Sequence, residues 1–341
     1  MRASLHVQHM RGDQPFTPGA GPNGGDFFVP WRMLQQRFAE RGVELHTPDI
    51  HGRHDVAFEL HLNAQVHSRV RPAYTFIYED PLVRPINGDP AALAAYRKVF
   101  TWSRAQQELP NAVPLDYPND LTPRGVSGWH ERDLHCVLIA SNKALLHADV
   151  RSLHAARVAT IRAFESRAPE RFSLYGPGWD IPPVRSGHWG RIVKRINEWK
   201  RGAGLGRRPF PSYRGKVHTK REVLDRARFC IAYENSRGSP GYLTEKIFDC
   251  FSSGCVPVYV GASGWQEVIP PVCCIDADAF IQPGDLVDFL DQVTPAQFEA
   301  YQKAMRDFLA QASTQRFGNA HWCNVLVDTI MSDLNQSQAA R

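Results

Sequence analysis

Lys246 is a cation placed where a helix should begin, at the close of Gly241-Tyr242-Leu243-Thr244-Glu245-Lys246. An apolar, β-prone run from Phe229 to Tyr233 precedes it, broken by Gly238, Pro240 and Gly241. Thr244 can cap a helix reaching about Ser253, and Gly254 can stop it. A positive side chain in a first helical turn opposes the helix dipole and costs roughly 0.3–1 kcal/mol. An anion such as a phosphate at that helix end would offset the cost. With a second apolar run from Cys255 to Val260, the pattern predicts strand, loop, helix and strand around a nucleotide-phosphate site. Periodicity does not name the nucleotide.

Three blocks carry a family likeness: Tyr233-Glu234-Asn235-Ser236, Gly241 through Lys246, and Gly254-Cys255-Val256-Pro257-Val258. In this order they resemble the donor-site signature of the α-1,3-fucosyltransferases, glycosyltransferase family 10. The strong resemblance runs from about Ser173 to Asp278; a weaker one reaches back through Val137–Asn142 to Tyr78-Glu79-Asp80. Roughly the first 70 residues carry no motif of the family. The resemblance implies an inverting, hexosyltransferase-type enzyme with GDP-fucose or a related GDP-sugar as donor. A glycan or glycolipid hydroxyl is the implied acceptor, in α-1,3-type linkage, on lipopolysaccharide or another surface polysaccharide. No essential metal or other cofactor is expected.

Such a transfer needs a base for the acceptor proton, positive groups for the departing diphosphate, and a nucleotide pocket. Glu79 is the expected base, because it follows the predicted strand Tyr74–Tyr78 at its carboxyl end. Asp80 competes for the role, and either could be a plain turn carboxylate. Lys246 and Arg157 are the diphosphate clamps that the resemblance implies, with Arg151 and Arg162 close enough in sequence to rival Arg157. Glu245 would face ribose or sugar hydroxyls, or simply favour the helix dipole. Asn235 resembles a donor-contacting asparagine and is also a good turn former. Tyr242 could stack on the nucleotide or pack in the core. Glu234 and Lys216 complete the donor-side candidates, and Tyr175-Gly176-Pro177-Gly178-Trp179 resembles a strand-end loop of the family. Asp276-Ala277-Asp278 has the D-x-D form of a metal motif, but it stands too late in the chain for that role, so no metal ligand is assigned.

The elements that must hold these residues alternate. Runs at Ser4–Met10, Val43–Thr47, Val56–Leu62 and Tyr74–Tyr78 predict strands, and Trp31–Arg41 and Ala91–Arg97 predict helices. A Pro-, Gly- and Asp-rich stretch, Pro110–Gly128, predicts a linker. Beyond it come strands Leu134–Ala140, Phe172–Tyr175 and Val272–Ile275, with helices Asp149–Arg167, Lys220–Ala227, Pro295–Ala312 and His321–Leu334. The expected fold is α/β, two Rossmann-like lobes facing a cleft in the GT-B arrangement. The expected division is 1–125 for an acceptor-side lobe, 126–318 for the donor lobe, and 319–341 for a crossover helix and tail.

At 341 residues, 43% hydrophobic and 22% charged, the chain can bury two cores. A net charge of +5 suits anionic ligands without demanding nucleic acid, and no nucleic-acid partner is expected. No signal peptide or membrane span is apparent, so a soluble, cytoplasmic, bacterial protein is expected. Seven cysteines without C-x-x-C spacing read as buried, reduced thiols. Residues 185–228 hold 14 Lys/Arg against three acids, with Ile192, Val193, Ile196 and Trp199 at helical spacing. That pattern fits a basic amphipathic helix on the anionic inner membrane face, or an apolar stripe packed on the protein. Two rival functions remain open: a metal-dependent glycosyltransferase with another nucleotide sugar, and a non-enzymatic binder of anionic surfaces or nucleic acid.

Overall fold

Short apolar runs in the first 114 residues pair into one parallel sheet. Its strands are β1 (Arg2–His6), β2 (Glu44–His46), β3 (Phe58–Leu62), β4 (Ala73–Phe76), β5 (Lys98–Thr101) and β6 (Ala112–Pro114), in the order β2-β1-β3-β4-β5-β6. All five residues of β3 are buried, as an inner parallel strand covered on both faces requires. The computed structural model describes every residue except 20–25, 52–54, 66–71, 125–126, 143–148, 181–191, 194, 198, 201–208 and 340–341.

A second parallel sheet is built from β7 (Leu134–Ile139), β8 (Phe172–Tyr175), β9 (Tyr213–Gly215), β10 (Ala227–Ile231), β11 (Val256–Tyr259) and β12 (Ile275–Asp276). Its order is β12-β11-β10-β7-β8-β9, so the chain reverses direction across the sheet between β7 and β10. The first sheet reverses between β1 and β3. Ligands of open parallel sheets bind outside the carboxyl ends of the strands at such reversals.

The helices are α1 (Val29–Ala39), α2 (Pro90–Ala94), α3 (His154–Arg167), α4 (Lys220–Leu224), α5 (Glu245–Ser253), α6 (Pro283–Gln292), α7 (Pro295–Leu309) and α8 (Asn319–Ala339). Gly254 ends α5 in the left-handed region at φ 64°, the stop its sequence predicts. Thr244 stands at the amino end of α5 but makes no side-chain cap; its hydroxyl is used elsewhere, as described below. The last helix returns to the first sheet. Trp322, Leu326 and Ile330 of α8 join Trp31 and Phe76 in that core, and the Trp31 and Trp322 rings meet edge to face at 5.0 Å. Asp333 of α8 accepts from Tyr74 at 2.5 Å and pairs with Arg97 at 2.6 Å.

Several features differ from the sequence reading; the strand predicted at Val272–Ile275, for one, is a single 3-10 turn at Pro271–Cys273 followed by the two-residue β12. The stretch Pro110–Gly128 is not all linker, since β6 lies within it as an edge strand. In the basic segment the described apolar side chains are exposed, Ile192, Val193 and Ile196 by 43–46% and Trp199 by 68%. Residues 192–193, 195–197 and 199–200 are helical, while the remainder of 185–208 lies outside the described residues. All seven cysteines are buried and unpaired by disulfides.

Candidate active site

A cleft of about 1100 Å³ separates the carboxyl ends of the two sheets. Seven sequence-predicted residues line it: Glu79 and its rival Asp80 from the first lobe, and Arg157, its rival Arg151, Asn235, Glu245 and Lys246 from the second. Glu234 and Tyr242 are buried behind its wall. Lys216 is exposed on the segment after β9 and is not among the lining residues.

The wall of the second lobe is organised by Glu234, just beyond β10. Its buried carboxylate accepts from the Thr244 amide at 2.9 Å, from the Thr244 hydroxyl at 2.8 Å and from Lys246 Nζ at 3.0 Å. Gly261 makes room for it, because a Cβ there would stand 2.4 Å from Glu234 Cγ. The first-turn cation therefore already has a fixed counter-charge, and its opposition to the dipole does not by itself require a phosphate. Two of the three ammonium donors of Lys246 serve Glu234 and the Thr244 hydroxyl. The ammonium still borders the cleft.

A second cation stands beside it. Lys220, at the start of α4, bridges Glu245 at 3.1 Å and Asp249 at 3.0 Å. Burial works against its charge, but the two carboxylates outweigh that and raise its pKa. For Glu245 burial pushes the pKa up, and Lys220 with Lys246 more than reverses it, holding this acid well below the usual carboxylate range. Asp249 is raised by its burial, so of the two acids Glu245 is the firmly ionised one.

Arg157 is buried on α3 and turns inward. Its Nη2 donates to the carbonyls of Tyr233 at 2.6 Å and Glu234 at 2.5 Å, and to Asn235 Oδ1 at 3.2 Å. It thus shapes the loop after β10 and orients the Asn235 amide. Tyr242 lies between the lobes, its ring centroid 4.7 Å from that of Trp102. Gly241 permits the approach: at φ +89° it also lacks the Cβ that would stand 2.4 Å from the Trp102 carbonyl. The packing alternative for Tyr242 is the one its surroundings favour.

On the opposite wall, Glu79 and Asp80 form the turn after β4. One oxygen holds that turn: Asn63 Oδ1 accepts from the Tyr78 amide, the Glu79 amide and Asn87 Nδ2, each at 2.8 Å. Asn63 sits at φ 65°, a conformation that asparagine tolerates better than most residues. Asp80 is 2% exposed; Oδ1 accepts from the Leu82 amide at 2.7 Å, and Oδ2 has no hydrogen-bond partner among the described residues. Asp276 and Asp278, by contrast, build a turn. Asp276 accepts from the Asp278 amide at 2.9 Å, and Asp278 pairs with Arg237 at 2.6 Å.

Carboxylates on one lobe thus face lysines around a helix start on the other, across a sheet reversal. Residues 195–339 match the family described as glycosyltransferase family 10 (fucosyltransferase), C-terminal part. This stretch belongs to glycosyltransferase family 10. The chain is 33% identical over 86 residues to an α-(1,4)-fucosyltransferase of Arabidopsis thaliana, covering 24% of this chain and 21% of that protein. It is 33% identical over 93 residues to the Homo sapiens 4-galactosyl-N-acetylglucosaminide 3-alpha-L-fucosyltransferase, covering 26% and 24% respectively. The matches span about a quarter or less of these relatives.

Beyond the family 10 region, the whole chain shares its architecture with solved structures. An α1,3-fucosyltransferase with GDP-fucose superposes at TM-score 0.51 and 11% identity, over 98% of this chain and 89% of the other. Sucrose-phosphate synthase from Thermosynechococcus elongatus superposes at 0.52 and 13% identity over 99% of both chains. The fold is GT-B. Within the family 10 region, the motif blocks located Glu234, Asn235, Glu245 and Lys246, but not Lys220. That lysine lies 25 positions before Glu245, among many basic residues, and nothing local distinguishes it. Asn63 was missed for a similar reason, since a lone asparagine after a strand signals only a turn.

Proposed function

We propose that this chain is an inverting glycosyltransferase that moves fucose from GDP-fucose to a hydroxyl of a glycan. The carrying observation is the pairing of Glu79 and Asp80 on one cleft wall with Lys246, Lys220 and the start of α5 on the other. The names of the similar proteins support fucose and GDP. Glu79 takes the acceptor hydroxyl proton as that oxygen bonds to the anomeric carbon. The bond from the anomeric carbon to the β-phosphate oxygen breaks on the far face, and the electron pair leaves with GDP. Lys246 stabilises the charge gathering on the diphosphate. Arg157 serves this step chiefly by holding the Tyr233–Asn235 backbone. Residues 1–125 act as the acceptor side, 126–318 as the donor side and 319–341 as a strap between them.

Thermal-shift screening against a panel of nucleotide sugars tests the donor. GDP and GDP-fucose are expected to raise the melting temperature, and UDP-glucose is not. Stabilisation by a UDP-sugar alone would replace this reading with the metal-dependent alternative. GDP affinity is expected to survive EDTA, because protein cations supply the positive charge.

Asn63 is a positioning residue in this scheme. Asn63→Ala removes the shared acceptor, and the expected fall in kcat is about tenfold to a hundredfold, with donor KM little changed. Asn63→Asp keeps an acceptor oxygen and should recover most of the turnover. Equal losses in both variants would remove this role.

The exposed Ile192, Val193, Ile196 and Trp199 favour a peripheral membrane contact, with a lipid-linked glycan as acceptor. Exposed Arg195 and Lys200 flank them, and each basic side chain near an anionic bilayer is worth about 1 kcal/mol. Such a bilayer lies at the cytoplasmic membrane face in this reading. Among the described residues no helix is long and apolar enough to cross a membrane. Co-sedimentation with vesicles should rise with anionic lipid and fall in Trp199→Ser; sedimentation indifferent to lipid charge would exclude the contact.

A further inference from the structure

The first sheet has its own reversal, between β1 and β3, and polar side chains collect there. The strands run in register with His6 opposite His61 and Ser4 opposite Glu59. Side chains two apart on a strand share a face, so Glu59 and His61 point the same way, with His6 across from them. Their ligand-type atoms all lie within 4.8 Å of one another. Glu59 Oε2 is 3.1 Å from His61 Nε2, and the two imidazole centroids are 4.5 Å apart. Glu59 and His61 are only 1% and 2% exposed, while His6 is partly open.

Each imidazole also has a hydroxyl on one nitrogen. Tyr96 Oη is 3.0 Å from His61 Nδ1, and Ser4 Oγ is 2.9 Å from His6 Nε2. In metal sites such outer partners fix the ring and select the nitrogen that binds.

We propose that His6, Glu59 and His61 bind one divalent transition-metal ion, Zn²⁺ by the chemistry of the set. Two imidazoles and a carboxylate are a zinc-type set with room for one further ligand. His61 coordinates through Nε2, His6 through Nδ1 and Glu59 through its carboxylate. The site is separate from the donor wall, since none of the three residues lines the large cleft. Its role is to pin the end of β3, two residues before the Asn63 amide that holds the Glu79 turn. The proposal does not depend on the identity of the donor or the acceptor.

The test uses full-length, tag-free protein from zinc-supplemented culture. After gel filtration, elemental analysis should find about one zinc per chain. Apo-protein titrated with Co²⁺ should develop a visible d–d absorption band that saturates at the same stoichiometry. His61→Ala should weaken Co²⁺ binding by at least about tenfold, and so should His6→Ala, whereas His51→Ala should not. If His61→Ala fails to fold by circular dichroism, the partly exposed His6 still supplies the answer. Wild-type protein with neither zinc nor a cobalt band overturns the proposal. Metal retained undiminished in His6→Ala overturns it as well.

Discussion

Lys246→Met is expected to lower kcat about 10²- to 10³-fold, the loss typical of removing one group that stabilises developing negative charge. The variant has a second effect, because Glu234 is fully buried and loses its cation. An uncompensated buried charge costs about 3–5 kcal/mol, so the urea midpoint should fall too. Adding Glu234→Gln separates the two effects. The amide oxygen can still accept from the Thr244 amide, and no charge is left stranded. The double variant should regain most of the stability and none of the turnover. Recovery of both would make Lys246 a structural partner of Glu234 and nothing more.

Glu79→Gln should reduce transfer by about 10³-fold while GDP affinity stays within about twofold, since a general base contributes roughly that much and does not touch the nucleotide. Asp80→Asn should be milder, about tenfold, because its Oδ1 already serves the Leu82 amide and the residue is almost wholly buried. Glu79 is the less buried of the two and has the longer arm. Single-turnover rates beside equilibrium GDP binding would distinguish them. A large loss in Asp80→Asn with a near-normal Glu79→Gln would transfer the base to Asp80.

Much of the donor wall was legible because its signals are local. Gly254 can stop a helix whatever surrounds it, and β8 was bounded at Phe172 and Tyr175 by its own apolar run. Edge strands were harder. β6 and β9 end their sheets, are three residues long and carry Pro114 or Gly215, which an inner strand would rarely tolerate. β5 begins at Lys98, directly after a segment with helical character, and its apolar residues merged into that pattern. The same division holds at the site. Glu245 and Lys246 sit inside a readable motif. Thr244, read as a cap, instead serves the Glu234 cluster, a partnership that only the folded loop creates. Lys220 and Asn63 act across 25 and 16 positions, and no window of sequence contains the distances that define them.

Everything proposed for catalysis rests on where the diphosphate sits. A crystal structure of the full chain with GDP measures this directly. The pyrophosphate should lie at the amino end of α5, with a phosphate oxygen within hydrogen-bond reach of Lys246 Nζ and the Glu79 turn facing it across the cleft. GDP bound elsewhere, with that helix end vacant, would contradict the mechanism whatever the activity assays show.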